Sequence, residues 1–318
     1  MKLYKLSAVM FSALLLASCS DIDNQEYAGG AISGEQSQET NSAIPSRTKA
    51  TFAGMFTLIG DPCHNYQTHF SDTRPDDFGF VMSAISLDLE GADMSMQDNG
   101  YNWFSASDEL SSRNANYANP YVRYVIPYTS LGIANDIINA FPADTKDAEA
   151  INMIAQAKTI RAFDYLSLAP YFQGSYQTSK DKPCVPLLDG KNDYTNNPRA
   201  TVAEVYTAII DDLSYAIDNL TDAREDKSRI NKSVALGLRA RAYLYMGEYA
   251  KALVDAEAAM KGYTPASLAD VSVPGFDDSS ASNWMWTYDL TEEQVASAAA
   301  SYATAASWMS AFCGQGYA

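Results

Sequence analysis

The side chains best suited to recognise a ligand lie in one short run, where a carboxylate and two amides are interleaved with three aromatic rings. Aromatic faces stack on flat apolar surfaces such as those of sugar rings, while carboxylates and amides hydrogen-bond to hydroxyl groups. The pattern therefore predicts a ligand-binding cluster formed by Asp98, Asn99, Tyr101, Asn102, Trp103 and Phe104. The alternative is that Trp103 packs into the core beneath its loop, as buried aromatic residues commonly do.

A second aromatic group lies near the end of the chain. Its members alternate, which predicts a strand with Trp284 and Trp286 on one face. We interpret this group as structural packing rather than a ligand site; it comprises Asn283, Trp284, Trp286 and Tyr288.

Three arginines in the helical part of the chain are predicted to be structural. Arg161, Arg199 and Arg229 are expected to pair with carboxylates and to fix the packing of helices, because a guanidinium forms strong paired hydrogen bonds with an acid. Acids such as Asp164, Asp211 and Asp212 are candidates for this pairing.

Metal binding and nucleophilic catalysis lack a supporting motif. His64 and His69 are the only histidines, and their spacing of five is not the helical i,i+4 pair. Asp61 and Cys63 lie beside them, but CxxC and HExxH motifs are absent. The chain also lacks the GxSxG motif of a nucleophilic serine. We therefore predict no catalytic residue, no metal and no cofactor.

The enzymatic alternative is a glycoside hydrolase, which needs two carboxyl groups flanking the scissile bond. Asp88 or Glu90 would pair with Asp108 or Glu109. Acidic residues number 39, so such pairs arise readily by chance, and we predict that the protein is not an enzyme.

The elements that position these residues are predicted to be helices joined by irregular loops. Thr201 and Glu204 form a capping box at a helix start, and Pro170 is expected to end another helix. Segments 61–119 and 184–198 are rich in loop signals. Apolar residues recur at helical spacing in 51–60, 120–141, 147–170, 201–220, 231–246 and 249–261.

The last two of these helices carry the pattern of a tetratricopeptide unit. Small residues such as Ala240 and Ala252 let the helices approach closely, and Gly247 allows a tight turn between them. The earlier helix pairs repeat the same rhythm, and such pairs bury their apolar faces on one another. The predicted fold is therefore mainly α, a tetratricopeptide-like α-solenoid scaffold with irregular, loop-rich insertions.

The first residues have the features of a lipoprotein signal. Lys2 and Lys5 precede an apolar run, 6–16, that is too short to span a bilayer. The run ends in Leu-Ala-Ser-Cys, which predicts cleavage after residues 1–18 and attachment of lipid, including palmitate, to Cys19.

Composition limits the classes of partner. The chain has 22 basic and 39 acidic side chains and a net charge of −17, so nucleic acid is excluded as an electrostatic partner. Beyond Cys19 an odd number of cysteines remains, which implies no disulfide framework. A flexible polar tether at 19–48 is predicted to lead into a helical domain at 49–270.

Four segments together resemble the SusD/RagB-like outer-membrane nutrient-binding lipoproteins of Bacteroidetes. The first is a helix that runs from a tyrosine to an asparagine, and the second is a helix with an Arg-Ala-aromatic motif. The third begins with Pro-Arg-Ala-Thr and continues to an Asp-Leu motif. The fourth is a pair of helices that begins with Arg-x-x-Lys and contains Gly-Glu-Tyr at its turn. In this sequence the four segments are Tyr128–Asn135, Ala157–Tyr165, Asn197–Leu220 and Arg229–Ala252. The segments follow one another in the family's order, and the predicted lipidation at Cys19 agrees with them.

The resemblance implies a lipid-anchored protein of the outer membrane, exposed at the cell surface, that takes part in polysaccharide utilisation. It would capture oligosaccharide and deliver it to a SusC-like TonB-dependent transporter, on which it acts as a lid. Family members extend further, so 271–318 is expected to be the start of an incomplete C-terminal region. The alternatives are a RagB-like protein that captures peptide and a helical-repeat scaffold that binds no sugar.

Overall fold

The computed structural model describes residues 39–40, 43–60, 79–91, 110, 113–114, 118–190, 197–271 and 279–289. The predicted signal peptide, Cys19 and most of the predicted tether lie outside these ranges. The described elements are α1 (Pro45–Gly60), α2 (Gly79–Glu90), α3 (Ala118–Asn139), α4 (Ala148–Phe172), α5 (Tyr176–Ser179), β1 (Pro183–Pro186), β2 (Arg199–Thr201), α6 (Val202–Asn219), α7 (Lys232–Met246), α8 (Tyr249–Ala259) and α9 (Leu268–Val271).

Three of the long helices begin at a side chain that caps the first turn. Asp147 accepts a hydrogen bond from the backbone of Glu149 at 2.9 Å, and Asn231 accepts one from Val234 at 3.0 Å. Thr201 and Glu204 form the reciprocal capping box that the sequence predicted. Each such cap stabilises its helix by about 1 kcal/mol, because it satisfies backbone donors that have no partner inside the helix.

The long helices pack on one another in chain order: α1 on α3, α3 on α4, α4 on α6, α6 on α7 and α7 on α8. One apolar cluster runs through these contacts, with Leu131, Ile160, Ile209 and Leu213 fully buried. Stepwise packing of neighbouring helices defines an α-solenoid. The predicted tetratricopeptide-like fold is therefore confirmed.

The α7/α8 pair shows how one such unit is closed. Gly247 ends α7 in the left-handed region at φ 77°, a conformation that glycine adopts without steric cost. Arg239 on α7 binds both carboxylate oxygens of Asp255 on α8, at 2.7 and 2.9 Å. The same guanidinium donates to the Ser214 hydroxyl of α6 at 3.0 Å, so that one side chain joins three helices.

A second ion-pair network joins α3, α4 and α6. Arg161 donates to both carboxylate oxygens of Asp212, at 2.7 and 2.8 Å, and Lys158 donates to the same carboxylate at 2.7 Å. The third nitrogen of Arg161 donates to the side-chain oxygen of Asn135 at 2.8 Å. The prediction that Arg161 pairs with an acid is thus confirmed, and the acid is Asp212, one of those named as candidates.

This network also holds the segment after β1. Asn135 donates to the Leu188 carbonyl at 2.9 Å, and the backbone N–H of Leu188 donates to the Tyr165 hydroxyl at 2.8 Å. Tyr128 donates to the Pro186 carbonyl at 2.6 Å. The tyrosine, asparagine and arginine positions of the resemblance therefore form one hydrogen-bonded unit around 186–188.

The prediction for the other two arginines was partly wrong. Arg199 binds no acid among the described residues; its guanidinium donates to the backbone carbonyls of Pro183 and Cys184 and so fastens β2 to β1. Arg229 does pair with an acid, Glu225, at 3.7 Å, and its guanidinium also stacks on Phe56 at 4.7 Å.

Several boundaries also differ from the sequence prediction. The first three residues of the predicted loop at 184–198 belong to β1, which pairs antiparallel with β2. Helix α4 continues through Pro170 to Phe172, and α1 begins at Pro45, inside the segment assigned to the tether. Proline is well suited to that first helical position, since its fixed φ matches the helix and its missing N–H would be unpaired there anyway.

One acid lies in the core without an ion pair. Asp164 on α4 is completely buried, and neither carboxylate oxygen makes a well-formed hydrogen bond with a described residue. Burial raises the pKa of Asp164 well above its ordinary value of 3.8, and a contact from the Ser130 hydroxyl opposes only part of this rise. The folded protein therefore favours the neutral acid.

This environment predicts a pH-dependent stability. The folded-state pKa of Asp164 is raised, so folding favours the protonated acid. The stability that this preference contributes is fully present below the ordinary pKa of Asp164 and is lost as pH rises through the folded-state pKa. Asp164→Asn keeps the shape without the charge, so we expect it to raise the Tm at pH 8 by about 2–4 °C and to change it little at pH 4. Thermal melts at both pH values, with the exposed Asp218→Asn as control, measure the difference. Equal shifts at both pH values would contradict it.

Candidate functional site

The predicted ligand-binding cluster, 98–104, lies outside the described residues, but the structure shows where its segment is attached. The chain leaves α2 at Gly91, and a described residue next occurs at Leu110. Arg113 then returns to α2, where its Nε donates to the Glu90 carboxylate at 3.1 Å. The two ends of the segment are therefore fastened together at the end of α2.

Gly91 and Arg113, where this segment is attached, both line a cleft of about 960 Å³. Helices α2, α3, α4 and α7 form its walls, and its volume is that of a site for a small ligand. Aromatic rings and arginines dominate the lining. Those that matter below are Phe80, Glu90, Arg113, Arg123, Phe163, Tyr171, Arg241 and Tyr245.

An ion pair between α2 and α3 forms the base of the cleft. Glu90 and Arg123 have side chains only 5% and 4% exposed and form a direct salt bridge. Arg113 binds the other oxygen of the same carboxylate at 3.1 Å, with a side chain that is 54% exposed. One carboxylate thus faces two guanidinium groups, of which one is buried and the other lies at the surface.

The Arg123 guanidinium also covers a tyrosine ring, with its central carbon 4.4 Å from the centroid of Tyr171. Burial raises the pKa of Tyr171, and the positive charge of Arg123 opposes that rise. Two polar atoms here, Arg123 Nη2 and Tyr171 Oη, are buried and find no hydrogen-bond partner among the described residues. A buried donor without an acceptor costs stability unless something else binds it.

One member of each carboxylate pair in the hydrolase alternative, Asp108 or Glu109, lies outside the described residues. Of the other members, Asp88 is exposed. Glu90 is engaged by two arginines, which suits holding α2 in place.

Of the second aromatic group, Trp286 packs against the core, as the structural interpretation predicted, but the group does not form a strand. Residues 279–289 form turns and irregular backbone. The Trp286 ring packs edge-on against Phe163 with 5.4 Å between centroids, and its Nε1 donates to the Ser228 carbonyl at 2.9 Å. The structural interpretation of Trp286 is therefore confirmed.

The residues raised as metal ligands, Asp61, Cys63, His64 and His69, lie outside the described ranges. Within those ranges no three His, Cys, Asp or Glu side chains are grouped as metal ligands would be. Of the helices that the structure describes, none is both long enough and apolar enough to cross a membrane.

Apart from Glu90, which was considered only as an acid of the hydrolase alternative, the cleft residues were missed by sequence reasoning. Glu90, Arg123 and Arg241 belong to three different helices and lie far apart in the chain. One local signal was available: Pro127 inside α3 and Pro170 inside α4 both line the cleft, and both helices continue past them. Proline inside a helix removes a backbone hydrogen bond and commonly kinks the helix.

Comparison with known proteins identifies the class to which this architecture belongs. A SusD-like family, described as "Starch-binding associating with outer membrane", matches residues 80–244. That range covers just over half of the chain and contains the first three segments of the resemblance, most of the fourth, and most of the cleft. The chain belongs to the SusD-like family.

Individual relatives agree with this assignment. The chain is 24% identical to SusD-like protein P2 of Formosa agariphila over 261 residues, which cover 81% of this chain and 46% of that protein. It is 30% identical to a SusD-like protein of Bacteroides ovatus over 123 residues, 37% of this chain and 21% of that protein. The chain thus spans less than half the length of each of these relatives.

Solved structures share the fold. A SusD-like carbohydrate binding protein from Bacteroides vulgatus superposes with a TM-score of 0.66 at 21% identity, over 78% of this chain and 51% of that one. A laminarin binding SusD-like protein superposes with a TM-score of 0.52 at 18% identity, over 70% of this chain and 45% of that one.

Proposed function

We propose that this protein is a cell-surface lipoprotein that captures oligosaccharide, without altering it, and delivers it to a SusC-like TonB-dependent transporter. Three kinds of support converge on this proposal. The chain belongs to a family described as starch-binding and associated with the outer membrane. Structural relatives are described as carbohydrate binding and laminarin binding. The predicted lipid site at Cys19 accounts for attachment to the membrane.

The observation that carries the proposal is the composition of the cleft. Aromatic rings of Phe80, Phe163 and Tyr245 line it beside the guanidinium groups of Arg113 and Arg241. Rings provide stacking surfaces and guanidinium groups provide donors for hydroxyl oxygens, which is the combination that sugar binding requires.

In our proposal the predicted cluster at 98–104 adds further aromatic and polar side chains to the binding surface of the cleft. Its segment is attached to the cleft wall at Gly91 and returns to it at Arg113. We therefore assign Asp98, Asn99, Tyr101, Asn102, Trp103 and Phe104 to ligand binding, with Trp103 as the stacking residue.

Binding of the purified protein to a panel of oligosaccharides and peptides, followed by calorimetry, tests the proposal. We expect micromolar or tighter binding of at least one glycan. Trp103→Ala should weaken that binding about ten-fold or more, because removing an aromatic anchor typically costs about 2 kcal/mol. Trp284→Ala, a half-buried tryptophan outside the cleft, is the matched control and should leave the affinity unchanged.

The remaining outcomes separate the alternatives. Binding of peptides alone would replace glycan capture with peptide capture. Release of shorter sugars from a bound oligosaccharide would show hydrolysis. A folded protein that binds no member of the panel would refute capture and leave a scaffold role.

A further inference from the structure

The cleft has a charge opposite to that of the chain. The chain as a whole carries a net charge of −17. Among the described residues that line the cleft, however, three are arginines and one, Glu90, is an acid. An acidic protein repels anions over most of its surface, so a site of local positive charge is where an anionic ligand would be drawn.

Arg241 provides the exposed part of this charge. It lies on α7 and forms no hydrogen bond or ion pair with any residue that the structure describes, although acids are abundant in the chain. Four positions later on the same helix, Tyr245 is 43% exposed and also lines the cleft. Residues at this spacing are neighbours on a helix surface, so a free guanidinium and an open aromatic ring lie side by side.

Arg123 provides the buried part. Its side chain is only 4% exposed, it lines the cleft, and its Nη2 lacks an acceptor among the described residues. Glu90 neutralises one side of its guanidinium and is itself shared with Arg113. Two guanidinium groups on one carboxylate leave a positive charge uncompensated, in addition to that of Arg241.

We propose that this cleft binds an anionic sugar unit, so that the ligand is an acidic oligosaccharide that carries carboxylate or sulfate groups. This inference rests on the proposed function and specifies its substrate class. The planar guanidinium of arginine matches both carboxylate and sulfate, to which it donates two parallel hydrogen bonds. Tyr245 and Phe80 stack on the sugar ring while Arg241 binds its anionic group.

Calorimetry with three probes of matched length tests the inference: an oligogalacturonate, a sulfated galactan oligosaccharide and the corresponding neutral galactan oligosaccharide. We expect one acidic probe to bind about ten-fold more tightly than the neutral one, and its affinity to fall as salt is raised from low to physiological ionic strength. The two acidic probes distinguish carboxylate from sulfate as the recognised group.

Variants then assign the contact. Arg241→Gln should weaken binding of the preferred acidic probe about ten-fold and leave any neutral binding unchanged, since a hydrogen bond to a charged group is lost. Lys251→Gln, an exposed cation on α8 that does not line the cleft, makes the same change in net charge and should have no effect. Unchanged thermal melts of both variants show that they are folded.

The outcomes separate this inference from the proposed function. Equal or tighter binding of the neutral probe would overturn the acidic-ligand inference while glycan capture stands. Acidic binding that Arg241→Gln does not weaken, or that Lys251→Gln weakens equally, would also overturn the assignment to this cleft. Failure to bind any member of the broader panel as well would overturn capture itself.

Discussion

Asp212→Ala is expected to lower the free energy of unfolding by about 3–5 kcal/mol, the range for removing one partner of a buried ion pair. The side chain of Asp212 is 5% exposed and accepts hydrogen bonds from both Arg161 and Lys158. Without it, two cations of α4 are left at the contact with α6 without their shared carboxylate. Asn135, which bonds to Arg161 and to the Leu188 carbonyl, would lose its position as well.

The neighbouring residue offers a matched control. Asp211→Ala removes the same side chain one position earlier, where it is exposed, and should change the free energy of unfolding by less than about 0.5 kcal/mol. Urea unfolding of the two variants and the parent chain, followed by circular dichroism, measures both values. Equal effects of the two substitutions would mean that the network around Asp212 adds no more stability than a surface charge.

The buried position of Asp212 could have been predicted from the sequence. The apolar stripe of α6 contains Val205, Ile209 and Leu213, and position 212 lies three residues after Ile209 on the same side. Adjacent helical residues point about 100° apart, so Asp211 is directed away from that side. An acid on the apolar face needs a partner, and Arg161 was already a candidate. The periodicity therefore contained enough information to choose between the two acids.

The helices could be predicted because the signals that start and end them are local in the sequence. The Thr201 capping box and the Gly247 turn act within a few residues, and the structure contains both. Arg199 was predicted incorrectly because its acceptors are backbone carbonyls of β1, and a carbonyl has no sequence signature. The strand β1 was missed because two of its four residues are proline, which disfavours strands.

The cleft was beyond reach for a different reason. Glu90, Arg123 and Arg241 line one cleft only because α2, α3 and α7, together with α4, form its walls. No spacing rule connects residues that far apart along the chain. The sequence did predict the ligand-binding cluster at 98–104, because its aromatic and polar residues lie close together in the chain. The segment that carries this cluster begins and ends at the cleft wall.

The ion pair at the base of the cleft gives the second large prediction. Arg123→Ala leaves the nearly buried Glu90 carboxylate without its buried partner and removes the guanidinium that covers Tyr171. We expect a local cost of about 3–5 kcal/mol, because the charge that remains is poorly solvated. Since α2 packs more sparsely than α4 or α6 within the described residues, this cost should appear as local opening of α2 rather than as global unfolding.

Amide hydrogen exchange of 79–90 is the direct measurement. Exchange there should become about a hundred-fold faster or more in Arg123→Ala, while exchange in α4 and α6 stays unchanged. Arg113→Ala is the matched control, because Arg113 binds the same carboxylate but is 54% exposed. An exposed pair contributes about 0–1 kcal/mol, so exchange in α2 should rise only slightly in this variant. Equal exchange rates of α2 in the two variants would mean that burial does not decide how strongly each arginine binds Glu90. The buried position of Arg123 would then have to be explained by its contact with Tyr171 alone.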